Sequence, residues 1–391
     1  MSYQTPEEPV KTSAVGSIRA SAARSTWTPE RYAALTIVRT REIGGRTLRR
    51  IWQQVPVLAA WLDLGPAAWS KLGLTSVQTE ALARSRAEDV SALAARLDRD
   101  GIRFLLPTDE GYPPYLGRTA DPPGALFARG APLSDEVRVA VVGTRKMSEY
   151  GKRVTELIAS ELARSGIAIV SGLALGIDAA AHEACLEAGG RAIAVLPSGV
   201  DNSSVAPRTN LRLAERILGT RGTLVSEQAP GTPTLPFQFL HRNRLISGLS
   251  DATVVIEADH DSGSLVTAKL ALEEGREVLA VPGPIFSATS RGTNSLIANG
   301  ARPCTSAGDI LEALGYANPE RARQVSESRA AIPVTPEEQS VLNALNDPLG
   351  VDDIARRTGL AVGTASALVS MLELKGRIIS VGPRTFARAQ F

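Results

Sequence analysis

At 391 residues the chain is too long for a single compact core, so two or three domains are expected. Its 43% hydrophobic and 21% charged residues are those of an ordinary soluble globular protein, and a net charge of +2 excludes a global basic footprint for nucleic acid. Of the 43 basic residues 37 are arginine, whose planar forks match phosphates and stack on bases, so contact with a polyanion has to come from a local patch.

Residues 1–25 read as a disordered tail with no signal peptide. No run of about 18 apolar residues exists to span a membrane. Cys185 and Cys304 are the only cysteines, too few for a metal site of their own, and they fit a reducing cytoplasm. Residues 26–97 read as a small helical domain, with apolar residues three and four apart over 31–40, 47–54 and 77–97. The turns at Gly44-Gly45-Arg46 and Leu72-Gly73-Leu74 give it a helix-hairpin-helix character, in which backbone N–H groups and Arg46, Arg49 and Arg50 would meet phosphate. From these residues alone an ordinary helical bundle, with the glycines as C-caps, is the favoured reading.

Residues 98–316 read as a doubly wound, Rossmann-like α/β domain. Prolines at 113–114 and 122–123 make a stiff connector, with a short strand expected at 125–128 on the edge of the following sheet. Apolar strands are predicted at 137–142, 167–170, 192–196, 222–226, 252–256 and 277–281, with a short seventh at 302–305. Helices are predicted between them at 149–164, 177–188, 209–218, 240–247, 265–274 and 294–299. That alternation is a parallel sheet covered on both faces, whose ligands bind beyond the carboxyl ends of the strands. Residues 317–333 read as a linker. Residues 334–391 read as a winged helix, with helices at 337–345, 351–358 and 362–375 and a two-stranded wing over 377–388. The third helix carries one basic residue, so docking is favoured over sequence-specific groove reading.

The chemistry collects at the strand ends. Gly143-Thr144-Arg145 and Ser148 have the shape of a phosphate loop, but Arg145 stands where a dinucleotide fingerprint has its second glycine. A cation there suits a phosphate directly; the alternative is a pair with Glu227 or Glu257. Ser171 and Gly172 open a second loop, followed by Asp178 and His182 on one helix face, read as a structural pair. Arg242, Asn243 and Arg244 follow the fourth strand, and Ser262, Gly263 and Ser264 with Lys269 open the helix after the fifth. No catalytic set, zinc spacing or Walker loop is present, and no cofactor is expected.

Together the stretches VVGTRKMSEYG, SGLALGIDAAAH, GGRAIAVLPSGVD, HRNRLISGLS, EADHDSGSLVTAKLALEEGREVLAVPG and GTNSLIANGA resemble the DNA-processing protein A (DprA/Smf) family over about residues 105–315. The resemblance implies a cytoplasmic bacterial protein without enzymatic activity. It implies binding of single-stranded DNA, protection of incoming DNA in natural transformation, loading of the RecA recombinase, and a homodimer formed through the α/β domains. The family's crevice residues carry over to Gly143, Thr144, Arg145, Ser148, Ser171, Gly172, Arg242, Asn243, Arg244, Ser262, Gly263, Ser264 and Lys269. This chain departs from the family at Ala206 and Gln228, where a tyrosine is usual. Phe237 and Phe239 are the candidate replacements for those rings. Two other classes remain open: a nucleotide phosphoribohydrolase using Glu257 and Arg145, and a winged-helix regulator with an effector in the crevice.

Overall fold

The computed structural model describes residues 27–133, 136–316, 334–345, 347–375, 377–382 and 385–388; the tail at 1–25 and the linker at 317–333 lie outside the described residues. Six helices come first: α1 (Pro29–Arg39), α2 (Gly45–Gln54), α3 (Leu58–Leu64), α4 (Pro66–Lys71), α5 (Ser76–Ala87) and α6 (Ser91–Arg99). Thr75 and Gln78 form a reciprocal capping box at the start of α5. The single helix expected over 77–97 is therefore two. The chain breaks at Glu88–Val90, where Asp89 accepts the Ser91 N–H at 2.8 Å, and the helix restarts at Ser91. Ile37, Ile51, Trp69 and Leu82 form the core of this bundle. Its edge is fixed to the next domain by Trp52, whose indole N–H donates to the Gly124 carbonyl at 2.7 Å, and by the Arg31–Asp109 ion pair at 3.1 Å.

The α/β domain is a nine-stranded sheet. Its strands are β1 (Ile102–Leu105), β2 (Leu126–Gly130), β3 (Arg138–Val142), β4 (Ala168–Ser171), β5 (Ala192–Val195), β6 (Thr223–Ser226), β7 (Ala252–Val255), β8 (Glu277–Ala280) and β9 (Arg302–Pro303). The spatial order is β1-β2-β6-β5-β4-β3-β7-β8-β9, and β3 to β9 all run parallel. The strand expected at 125–128 is present as β2 but is not an edge. It pairs antiparallel with β6 on one side and on the other with β1, a strand that its short IRFL run had not announced.

The helices are α7 (Pro114–Gly117), α8 (Glu149–Arg164), α9 (Ile177–Glu187), α10 (Leu211–Leu218), α11 (Pro236–Gly248), α12 (Gly263–Glu273), α13 (Arg291–Ala298) and α14 (Ala307–Ala313). Along β3, Val139 and Val141 join one buried apolar cluster and Ala140 and Val142 the other. A strand buried on both faces needs apolar side chains at every position, which is why these runs do not alternate with polar residues. The chain winds outward from β3 through β4, β5 and β6, then returns to the opposite side of β3 with β7. The switch point between β3 and β7 is where such sheets open a crevice.

The C-terminal domain has α15 (Pro336–Ala344), α16 (Val351–Thr358) and α17 (Val362–Leu374), with β10 (Leu349–Gly350), β11 (Ile378–Gly382) and β12 (Thr385–Arg388) in the order β10-β12-β11. Its wing has a third short strand, β10, because Leu349 and Gly350 extend into register with Phe386 and Thr385. Gly359, at φ 72°, ends α16 and makes the turn into α17. Lys375 donates to the buried Glu338 carboxylate at 2.7 Å and ties the third helix to the first.

Candidate functional site

The loop after β3 forms one wall of the crevice. Gly143 has no room for a side chain: a Cβ there would sit 2.6 Å from Ile177 Cγ1 and 2.9 Å from the Glu257 carbonyl. The Thr144 N–H donates to that carbonyl at 2.8 Å and locks the loop across the switch point. Arg145 is exposed, and its guanidinium lies 4.5 Å from the ring centroid of Phe239 in α11. Among the described residues Arg145 makes no ion pair, and its neighbour Lys146 makes none either. The alternative that Arg145 pairs with Glu227 or Glu257 does not occur, because both carboxylates are occupied elsewhere.

Glu257 is 1% exposed and works as a clamp. It accepts the Ser148 N–H at 2.8 Å, the Ser148 hydroxyl at 2.6 Å and the Thr289 hydroxyl at 2.9 Å. Ser148 also N-caps α8, accepting the Gly151 N–H at 3.0 Å. Ser148 was expected to donate to a phosphate from the helix start; its hydroxyl is instead committed to Glu257, because a buried carboxylate needs its lone pairs filled. Glu257 is thereby held as a structural link between the start of α8 and Thr289.

The second loop is built from below. The Ser171 hydroxyl donates to the Val141 carbonyl at 2.6 Å and is fully buried. Asp178 accepts the N–H groups of Gly172 at 3.0 Å and Ala174 at 3.4 Å, and Leu173 between them is held at φ 56°. Any side chain at Gly172 would collide with the Arg242 guanidinium. Arg242 is only 5% exposed and donates to the Val195 carbonyl at 2.6 Å. Burial pulls its basicity down to about 10, against the opposing charge of Asp178. Burial likewise pushes the Asp178 carboxyl up, with Arg242 opposing. His182, fully buried beside them, is driven down to about 3 by burial, with the Ser171 backbone opposing. Neither ring nitrogen has a partner in good hydrogen-bond geometry among the described residues. Asp178 and His182 are both buried, but the hydrogen bond expected between them is not formed, because Asp178 takes the Gly172 and Ala174 N–H groups instead.

Two further expectations change. Arg242 is a strut beneath the crevice floor, not a phosphate ligand at its surface. Arg244 is also occupied: its Nη2 donates to both oxygens of Glu227 at 2.6 Å, its Nη1 donates to the Asp121 main-chain carbonyl at 2.8 Å, and its Nε lies 3.3 Å from the Asp121 carboxylate. Both arginines lie on α11 with their charges turned into the protein, because carboxylates and carbonyls reach them there. Asn243 donates to the Gly263 carbonyl at 3.1 Å and joins α11 to the start of α12. There the Ser262 and Ser264 hydroxyls lie 2.7 Å apart, while the space beside Gly263 is open. Lys269 is exposed farther along α12, beside Glu273 at 3.8 Å.

Residues 103–315 match the family described as DNA recombination-mediator protein A, and residues 325–382 match the DprA winged helix domain. The chain belongs to the DNA recombination-mediator protein A family. It is 42% identical to Protein Smf of Escherichia coli over 285 residues, covering 71% of this chain and 75% of that protein. It is also 42% identical to DNA processing protein DprA of Bacillus subtilis over 229 residues, 58% of this chain and 75% of that one. The X-ray structure of DNA processing protein A from Streptococcus pneumoniae aligns with a TM-score of 0.61 at 33% identity, over 73% of this chain and 98% of that one. The stretch matching the recombination-mediator family contains every crevice loop described above.

Among the described residues no cluster of metal-ligating side chains occurs, and no helix is long and apolar enough to cross a membrane. Sequence reasoning had offered Phe237 and Phe239 together. The structure separates them, placing Phe239 under Arg145 and Phe237 edge-on to His241. Lys146, Thr289 and the clamp role of Glu257 were missed. Lys146 was adjacent to a named residue and could have been included; Thr289 lies 32 residues beyond Glu257 and only folding brings it there.

Proposed function

We propose that the crevice over the β3–β7 switch point binds single-stranded DNA. We further propose that the chain acts, as a cytoplasmic homodimer joined through the α/β domains, to shield incoming single strands and load a RecA recombinase onto them. The observation that carries the DNA reading is Arg145. It is an exposed guanidinium without a counter-ion among the described residues, stacked on the half-buried Phe239 ring. A cation over an aromatic face offers a fork to a phosphate and a flat surface to a base. Base faces are accessible in a single strand and hidden in a stacked duplex. Lys146 and the open start of α12 at Ser262-Gly263 extend the anion-binding surface; Thr144 and Gly143 hold its shape, and Arg242, Asn243 and Arg244 brace it from within. The family's description as recombination mediators, and relatives named for DNA processing, support the same class of ligand.

The direct test is a gel-shift titration of the full chain with single-stranded and duplex oligonucleotides over a salt series. Tight single-strand binding that weakens steeply with salt and ignores sequence is expected. Equal or tighter binding of duplex would overturn the reading. Sedimentation of the protein, and RecA filament assembly on protein-coated DNA, test the dimer and loading parts separately.

A further inference from the structure

Phe286 is 94% exposed and Ile285 is 77% exposed, the two barest large apolar side chains among the described residues. They sit in the segment between β8 and α13, at the carboxyl edge of the sheet where the crevice opens. An aromatic ring left in water contributes little to folding, and a floppy segment would make its exposure unremarkable. This segment is fastened at several points. The Ser287 N–H donates to the Pro284 carbonyl at 2.9 Å, and Gly283 and Asn294 exchange two hydrogen bonds at 3.2 and 3.0 Å. Tyr150, in the first turn of α8, donates to the Pro282 carbonyl at 2.8 Å.

The fastening also leads back to the Arg145 wall. The hydroxyls of Ser287 and Thr289 lie 2.9 Å apart, Thr289 donates to Glu257, and Glu257 holds Ser148. A continuous chain of hydrogen bonds therefore joins the residue after Phe286 to the residue that starts α8, three positions from Arg145. Exposed cations lie at both ends of this path: Lys146 on the β3 loop and Arg291 at the start of α13, neither in an ion pair among the described residues.

We propose that Phe286, with Ile285 beside it, is a second base-stacking platform, so that a single strand held at Arg145 and Phe239 continues across the start of α8 to this loop. The inference rests on the single-strand reading above. Lys146 and Arg291 neutralise the backbone between the two platforms, and the braced loop presents the ring without an ordering cost. A stacking platform works with any base, so it lengthens the site without adding sequence preference.

The test is a fluorescence-anisotropy titration of full-length protein with a labelled oligothymidylate long enough to cross both platforms. The variants are Phe286→Ala, Phe286→Leu, Phe286→Tyr and Arg145→Ala, with sedimentation of each. Stacking predicts that Phe286→Ala and Phe286→Leu weaken binding by about tenfold while Phe286→Tyr holds near wild type, with association state unchanged. It also predicts that an oligonucleotide too short to reach the second platform binds wild type and Phe286→Ala alike. If Phe286→Ala binds like wild type while Arg145→Ala is weakened, this inference fails and the single-strand reading stands. If the Phe286 variants instead dissociate a dimer, the ring belongs to a contact between copies and the inference is overturned. If wild type binds no single strand, both fall together.

Discussion

The crevice has two arginine-bearing sides that look alike in sequence and are opposite in physics. On the β3 loop, Arg145 projects outward, has an aromatic ring as its partner and carries no carboxylate. On α11, Arg242 is buried and donates to the Val195 carbonyl, and the largely covered Arg244 is held by Glu227 and Asp121. An arginine's role is decided by what satisfies its donors before a ligand arrives. Where protein oxygens do so, the guanidinium is structure; where only a π-face does, its fork is still available. The glycine hairpin of the helical bundle falls on the structural side. Arg49 pairs with Asp121 at 2.9 Å and Arg50 donates to the Gly73 carbonyl at 3.0 Å, leaving Arg46 as the exposed member of that set.

The largest effect expected from this contrast is on the buried side. Arg244→Ala strands the Glu227 carboxylate and should cost about 3–5 kcal/mol of stability. Burial already pushes the Glu227 carboxyl up with Arg244 opposing, so without Arg244 it rises further. A carboxyl raised in the folded state makes the fold bind its proton more tightly, so the variant's deficit should grow as pH rises above the ordinary carboxylate range. Urea midpoints at pH 5 and pH 8 check this; a deficit independent of pH would show that Glu227 is not the stranded charge.

His182 gives the next effect. Held down to about 3 from an ordinary 6.5, it is neutral in the fold while the unfolded chain takes up the proton first. Its contribution is fully present above about pH 6.5 and is lost as pH falls toward 3, at up to about 1.4 kcal/mol per pH unit. His182→Leu should flatten this acid limb in urea melts between pH 4 and 7. A variant with an unchanged slope would place the acid sensitivity elsewhere.

On the exposed side the effect should move from stability to affinity. Arg145→Ala is expected to leave the thermal midpoint near wild type and weaken single-strand binding about 10- to 100-fold, with a shallower salt dependence. Loss of folding in this variant would erase the contrast between the two sides. Smallest of all, Arg49→Ala removes a partly exposed ion pair worth under about 1 kcal/mol and should leave DNA affinity unchanged. A large loss of affinity there would bring the bundle hairpin into the binding surface.

Much of the architecture was legible in the sequence because buried parallel strands write themselves as unbroken apolar runs. The predicted strand at 277–281 and β8 at Glu277–Ala280 differ by one residue, and the predicted helix at 149–164 is α8 itself. What failed to register was short or antiparallel. β1 has four residues and pairs with β2, 24 or so positions away, so no local period announces it. The break between α5 and α6 falls within a continuous apolar pattern and is marked only by the local turn in which Asp89 accepts the Ser91 N–H and hydroxyl. The short strand β10 is defined only by its partner β12.

The crevice shows the same division at the level of single residues. Sequence alone determined that a cation replaces the second glycine of a phosphate loop, and that small and hydroxyl residues line the strand ends. Those facts follow from residue type and from the position of each loop after a strand. Only the tertiary structure decided which charges remain available. Glu227 and Glu257 reach their partners from 17 and 109 residues away, and a carboxylate covered by folding must take the nearest donors; the half-exposed Asp121 pairs with Arg49 and Arg244. Arg145 has an open fork because none of the three reaches it, and the ring of Phe239 on α11 lies beneath it.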